Sequence, residues 1–177
     1  MLNTLLRLFR HRWLDEADVR RALPPDALAR LLQRVAASEQ RHGGEIRICV
    51  EAALPASYLW RHLRRAVPMR QIVRERAVMM FSKLRVWDTG ANNGVLIYLL
   101  LAERAIELVA DRGLNQHVPA AQWQAMVQRM GAAFREGRLE DGLTQALEQV
   151  SAVLVQHFPL AGTDANPNEL PDAPWLQ

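Results

Sequence analysis

Cysteine occurs once in the 177 residues, at Cys49, so no internal disulfide and no multi-cysteine zinc site can form. Lysine also occurs once, at Lys83; the other basic side chains are all arginine. No run of 18 apolar residues exists, and none of the sequence reads as a transmembrane helix. The apolar start, Met1 to Phe9, is broken by Arg7 and meets Arg10 to Arg12 with no small-residue cleavage site, which argues against a signal peptide. A cytoplasmic location is therefore expected. The histidines His11, His42, His62, His117 and His157 lack the i, i+4 or cysteine neighbours of a zinc pattern. There is no internal repeat and no long linker. With 50% apolar and 23% charged residues, the chain reads as one globular domain and not as a disordered or fibrous one.

The charge that is present is uneven. Residues 60–85 hold eight basic side chains and one acid, whereas residues 86–177 hold five arginines and eleven acids. A basic middle beside an acidic second half predicts a polarised surface. Arg61, Arg64 and Arg65, followed by Arg70, Arg74 and Arg76, form a patch that would suit a solvated face, an acidic partner protein or an anionic lipid surface. No stacking motif or nucleic-acid module accompanies it, so nucleic acid is not the expected partner.

Apolar spacing sets the elements. Leu2, Leu5, Leu6, Phe9 and Trp13 give a short basic amphipathic helix, which would lie on a membrane or pack on its own domain. Pro24-Pro25 precedes a second helix bearing Leu28, Leu31, Leu32 and Val35. Glu45 to Glu51 alternates Ile46, Ile48 and Val50 against Arg47 and Cys49, as a strand does. Arg70 to Leu84 is helical, and Val95 to Leu101 is a continuous apolar run expected of a strand covered on both faces. Glu103-Arg104 turns tightly into a strand at Ile106 to Ala110. Two helices follow, carrying Trp123, Met126, Met130 and Phe134, then Leu143, Leu147, Val150 and Leu154. A crossover helix followed by a hairpin predicts a mixed sheet with helices on both faces. Ala52 to Met69 gives no clear reading.

The hairpin has a chemical consequence. The start of the strand at Val95 and the end of the strand at Ala110 must share one end of the sheet. Asp88, Asn92, Asn93 and Gly94 are thus predicted beside Asp111, Arg112 and Gly113. A parallel crossover pair would add Gly43, Gly44 and Glu45. Carboxylates, carboxamides and loop carbonyls suit a hard cation such as calcium, with Asp88, Asn92 and Asp111 as the candidate ligands. Arg112, Gly113, Asn93 and Trp87 would line the ligand side, Arg112 as a bidentate donor to phosphate or carboxylate. The same residues would equally serve as turn formers and caps. Ser38 and His42 stand one helical turn apart, a weak nucleophile–base pattern without an orienting acid.

The stretch NNGVLIYLLLAERAIELVADRGL, Asn92 to Leu114, resembles the TPM domain family, as do SEQRHGGEIRICVE (Ser38 to Glu51) and FREGRLEDGL (Phe134 to Leu143). The loop VWDTGANNG and the tail NELPDAP resemble a bacterial subgroup of single-domain members. The resemblance implies a three-layer α/β/α sandwich with a mixed sheet, an N-terminal helical extension (1–41), a TPM-like domain (42–159) and an irregular C-terminal tail (160–177). It also implies calcium binding or phosphatase activity, and it leaves open whether the chain is an enzyme. Asn92 stands where the family usually has Asp; its carbonyl can ligate calcium but contributes no charge, so weak binding is expected. The function expected is a soluble binding or accessory module that meets a partner protein. A weak metal-dependent phosphatase and a peripheral membrane adaptor are the alternatives. The tail, with Leu170, Trp175 and Leu176 among prolines, is expected to dock in extended form on this domain or on another.

Overall fold

In the computed structural model, the described residues are 2–160 and 165–177; the side chains of residues 2–5, 132 and 135 lie outside the description. Leu2 and Leu5 of the N-terminal apolar stripe, and residues 161–164 of the tail, therefore fall outside it. The helix α1 (Leu2–Trp13) is followed by α2 (Glu16–Ala22), which the sequence reading does not anticipate. A reciprocal cap starts α2: the Asp15 carboxylate accepts from the N–H groups of Ala17 and Asp18, and Asp18 accepts from the Asp15 N–H. Pro25 occupies the first turn of α3 (Pro25–Glu39), where its missing N–H costs nothing.

The strand β1 (Glu45–Glu51) is buried at every position. Then come α4 (Ala56–Arg65), α5 (Met69–Lys83) and β2 (Gly94–Leu100). A 3₁₀ turn at Leu101–Glu103, with Arg104 in the left-handed region at φ 48°, leads into β3 (Ala105–Ala110). The short α6 (Arg112–Asn115), α7 (Ala120–Arg135) and α8 (Leu139–His157) follow, and the tail ends in β4 (Trp175–Leu176).

The sheet order is β3-β2-β1-β4. β1 pairs in parallel with β2, Ile48 opposite Ile97, and β2 pairs antiparallel with β3, Ile97 opposite Leu108. This is the mixed sheet that the crossover and hairpin predict. Because strand side chains alternate, each strand feeds two cores. Ile46, Ile48, Val50, Val95, Ile97 and Leu99 pack with α2, α3, α7 and α8. Cys49, Leu96, Tyr98 and Leu100 pack on the opposite face with α5. Cys49 is fully buried and burial pushes its thiol upward, away from reactivity. No helix among the described residues is long and apolar enough to cross a membrane.

Two buried charges of β1, Glu51 and Arg47, are matched by partners from elsewhere in the chain. Glu51 receives Arg76 through both carboxylate oxygens, with Nε to Oε2 at 2.8 Å, and the Tyr98 hydroxyl donates to Oε2 at 2.7 Å. Arg47 donates to the Pro171 and Ala173 carbonyls. Those last contacts belong to the tail, which runs along the open edge of β1. Leu170 N–H donates to Glu45, Gln177 N–H to the Val50 carbonyl, and Trp175 pairs in parallel with Cys49. The tail thus docks on its own domain, and its last residues add a short strand.

Truncation after Leu160 uncovers Leu170's site and leaves Arg47 and the β1 edge without partners. Loss of the Leu170, Trp175 and Leu176 contacts should lower the unfolding midpoint by roughly 5–15 °C. An unchanged midpoint in thermal denaturation would contradict this docking energy.

Candidate functional site

One end of the sheet is built from three turns and the tail. The segment leaving α5 reverses at Arg85, which is left-handed at φ 55°, and Arg85 Nη2 pairs with the Asp88 carboxylate at 2.5 Å. Asn92 is also left-handed, at φ 52°. Its side-chain Oδ1 accepts from Arg112 Nε at 2.8 Å, and its carbonyl accepts from the Gly113 N–H at 2.9 Å. A Cβ at Gly113 would come within 2.5 Å of the Asn92 carbonyl oxygen, so only glycine allows this approach. Asp111 N–H donates to the Gly94 carbonyl, closing the hairpin. Asn93 Nδ2 donates to the Gly43 carbonyl at 2.8 Å and ties in the turn before β1.

Asn92, Asn93, Gly94, Asp111, Arg112 and Gly113 are therefore together, with Gly43 and Gly44 beside them. Asp88 is exposed and engaged by Arg85; Trp87 is exposed at the start of the same loop. Asp111 Oδ1 accepts from the Arg112 N–H at 2.6 Å, capping α6. Its other oxygen, Oδ2, is buried without a hydrogen-bond partner, and so is Asn93 Oδ1. Buried oxygens without donors are costly, and each would be stabilised by a water or another donor that reached it. Among the described residues, no three His, Cys, Asp or Glu side chains converge as a metal-holding group. A cation here would rely on Asp111, the carboxamides and loop carbonyls.

A second polar group lies between α3, β1 and the tail, and sequence reasoning missed it apart from placing Glu45 near the loops. Glu39 Oε1 accepts from the Ile46 N–H at 2.9 Å, while Glu39 Oε2 and Glu45 Oε1 are buried without partners. Burial pushes the Glu39 carboxyl up to about 8, aided by the charges of Glu45 and Asp172. Burial also raises Glu45. The sequence did contain a signal: Glu45 and Arg47 sit on a strand face that must lie between two layers.

Ser38 and His42 do meet. His42 Nδ1 lies 3.0 Å from the Gly44 carbonyl, which can only accept, so the ring proton is on Nδ1. Nε2 then accepts from the Ser38 hydroxyl at 2.9 Å. Both residues are buried, and burial depresses His42 to about 4. The pair fastens the end of α3 to the turn before β1. His117 and His157 stack with ring centroids 5.0 Å apart.

The basic patch divides. Arg61 pairs with Glu75, Arg74 with Glu107 and Arg76 with buried Glu51, whereas no acid among the described residues meets Arg64 or Arg65.

A mixed sheet between helical layers, with a loop cluster at one end, defines an α/β/α sandwich. The family model described as the TPM domain matches residues 17–153, and the chain belongs to the TPM domain family. No curated protein matches it. Among solved structures, the BA42 protein of the psychrophilic bacterium Bizionia argentinensis is similar at a TM-score of 0.70 and 24% identity, over 86% of this chain and 94% of that one. The N-terminal domain of a P. gingivalis protein is similar at 0.57 and 18% identity, over 79% and 83%. At these identities the likeness concerns the fold.

Titration gives a test of the buried acid. The Glu39 carboxyl is raised from its ordinary value near 4.5, so its contribution to stability is complete below about pH 4.5 and is lost as pH rises through about 8. His42 acts oppositely: lowered from 6.5 to about 4, it stabilises above about pH 6.5 and loses that contribution as pH falls through about 4. Glu39→Gln keeps an acceptor for the Ile46 N–H and cannot ionise. Its unfolding midpoint relative to wild type should therefore rise between about pH 5 and about pH 9. A pH-independent difference would show that Glu39 titrates normally.

Proposed function

We propose that this chain is a binding or accessory module whose ligand site is the loop end of the sheet. The observation that supports the reading is the pair of buried oxygens, Asp111 Oδ2 and Asn93 Oδ1, left without protein donors on adjoining turns. Oxygen donors of this kind suit calcium, and Asn92 offers a further carbonyl if its bond to Arg112 opens. The charge count is low. Asp88 is already neutralised by Arg85 and Asn92 brings none, so the affinity falls in the weak, ~10⁻⁴–10⁻³ M class. Arg112 is held through Nε, and its terminal nitrogens would serve as donors to an incoming phosphate or carboxylate. Cation and anion together would give the site its choice of ligand, with exposed Trp87 beside the loop as an apolar wall.

The test is a calcium titration followed by backbone amide chemical shifts. Shifts confined to residues 88–94 and 111–115, developing at ~1–10 mM calcium, are expected for wild type. Asp111→Asn retains the cap on α6 but removes the charge, and should weaken the response severalfold. No response at such concentrations, or one unchanged by Asp111→Asn, would reject the site.

A further inference from the structure

The helix α1 is attached to the domain by its polar side. His11 Nδ1 accepts from the Leu54 N–H at 3.1 Å, so its proton is on Nε2, which donates to Glu103 at 2.9 Å. Arg7 pairs with the same carboxylate at 3.0 Å, and Arg10 donates to the Ala102 carbonyl. Leu6, Phe9 and Trp13 are left facing solvent; Phe9 is 59% and Trp13 76% exposed. For these three described residues the usual arrangement, in which a surface helix buries its apolar stripe, is inverted.

The neighbouring helix α4 packs Tyr58 and Leu59 against the core and leaves other apolar side chains outside. It contains no buried residue, and its Trp60 is 56% exposed, with Leu63 beside it at helical spacing. The two helices touch: Arg7 Nη1 donates to His62 Nε2 at 3.4 Å, and His62 Nδ1 donates to the Val67 carbonyl. Of the large apolar side chains exposed on the described surface, five belong to these two helices. Neither helix contains an acid. Arg12, Arg64 and Arg65 have no acidic partner among the described residues, and Arg64 lies over the Trp60 ring at 4.4 Å.

We propose that α1 and α4 together form a docking surface for an anionic lipid bilayer. Exposed tryptophans among apolar side chains match the headgroup–acyl boundary, where one side of the ring is apolar and the other wet. Arginines without acids, on the same helices, match phosphate headgroups. A single lipid-facing helix of about three turns gives a weak hold; two adjoining helices enlarge the apolar area and place cations on both. The absence of acids along both helices favours a negative lipid surface over a folded partner, whose interface would normally pair charges of both signs.

The test is co-sedimentation of the full chain with vesicles of phosphatidylglycerol and phosphatidylcholine, against vesicles of phosphatidylcholine alone. Binding to the anionic vesicles, weakened by salt, is expected. Trp13→Ala with Trp60→Ala should keep the circular dichroism spectrum and reduce the bound fraction on the order of tenfold. Arg64→Glu with Arg65→Glu should reduce it similarly at low salt. The proposal is overturned by absence of binding to anionic vesicles, by equal binding to phosphatidylcholine, or by binding that both double variants retain. Concentration-dependent dimerisation abolished by Trp13→Ala with Trp60→Ala would assign the face to a second copy and overturn it as well.

Discussion

The strand β1 must bury Glu45, Arg47 and Glu51 on one face, and the rest of the molecule is arranged around satisfying them. An isolated charge between two layers of a sandwich would be prohibitively unstable, so each needs a partner delivered from elsewhere in the chain. α5 brings Arg76 to Glu51, and β2 adds the Tyr98 hydroxyl. The tail brings backbone groups to Glu45 and Arg47. Such pairs add little net stability over an apolar core, but separating one costs about 3–5 kcal/mol. They act as selectors: a register shift of one residue in β1 would strand all three charges.

This explains why the tail, irregular and proline-rich, belongs to the fold. The prolines prevent a ladder of its own, and it supplies carbonyls and N–H groups to a strand edge already built. Its docking also covers an edge that would otherwise be free to pair with another chain. Glu39 and Asp172 add a condition to this contact. Two carboxyls can share a buried site only while one keeps its proton, so the tail's seat is electrically tolerable because Glu39 resists ionisation.

The central elements were legible in the sequence because their signals are local. The run from Val95 to Leu101 could only be a strand covered twice, and Glu103-Arg104 left no room for anything but a tight turn. The meeting of Asn92 with Arg112 followed from that hairpin alone. α2 escaped notice because its seven residues bury only Val19 and depend on the Asp15 cap. α4 was hidden between prolines and contributes only the half-buried Tyr58 and Leu59 to the core, too few to generate a clear periodic signal. β4 is two residues long and exists through its partner Cys49–Val50, distant in sequence. At the site, the residue types were readable, but which oxygens lack donors is a matter of angles. Asp88 is a carboxylate in the sequence and half of an ion pair in the molecule.

The 3₁₀ turn that anchors α1 stands at the far end of β2 from the Asn92–Asp111 cluster. Seven strand residues at ~3.3 Å each separate the two ends by about 20 Å. That is more than two screening lengths in physiological salt, about 8 Å each. A charge gained or lost at one end is therefore nearly invisible through solvent at the other. What the strands transmit instead is orientation: a rigid sheet fixed at one end by its helices holds the opposite loops at a set distance and angle from whatever those helices rest on.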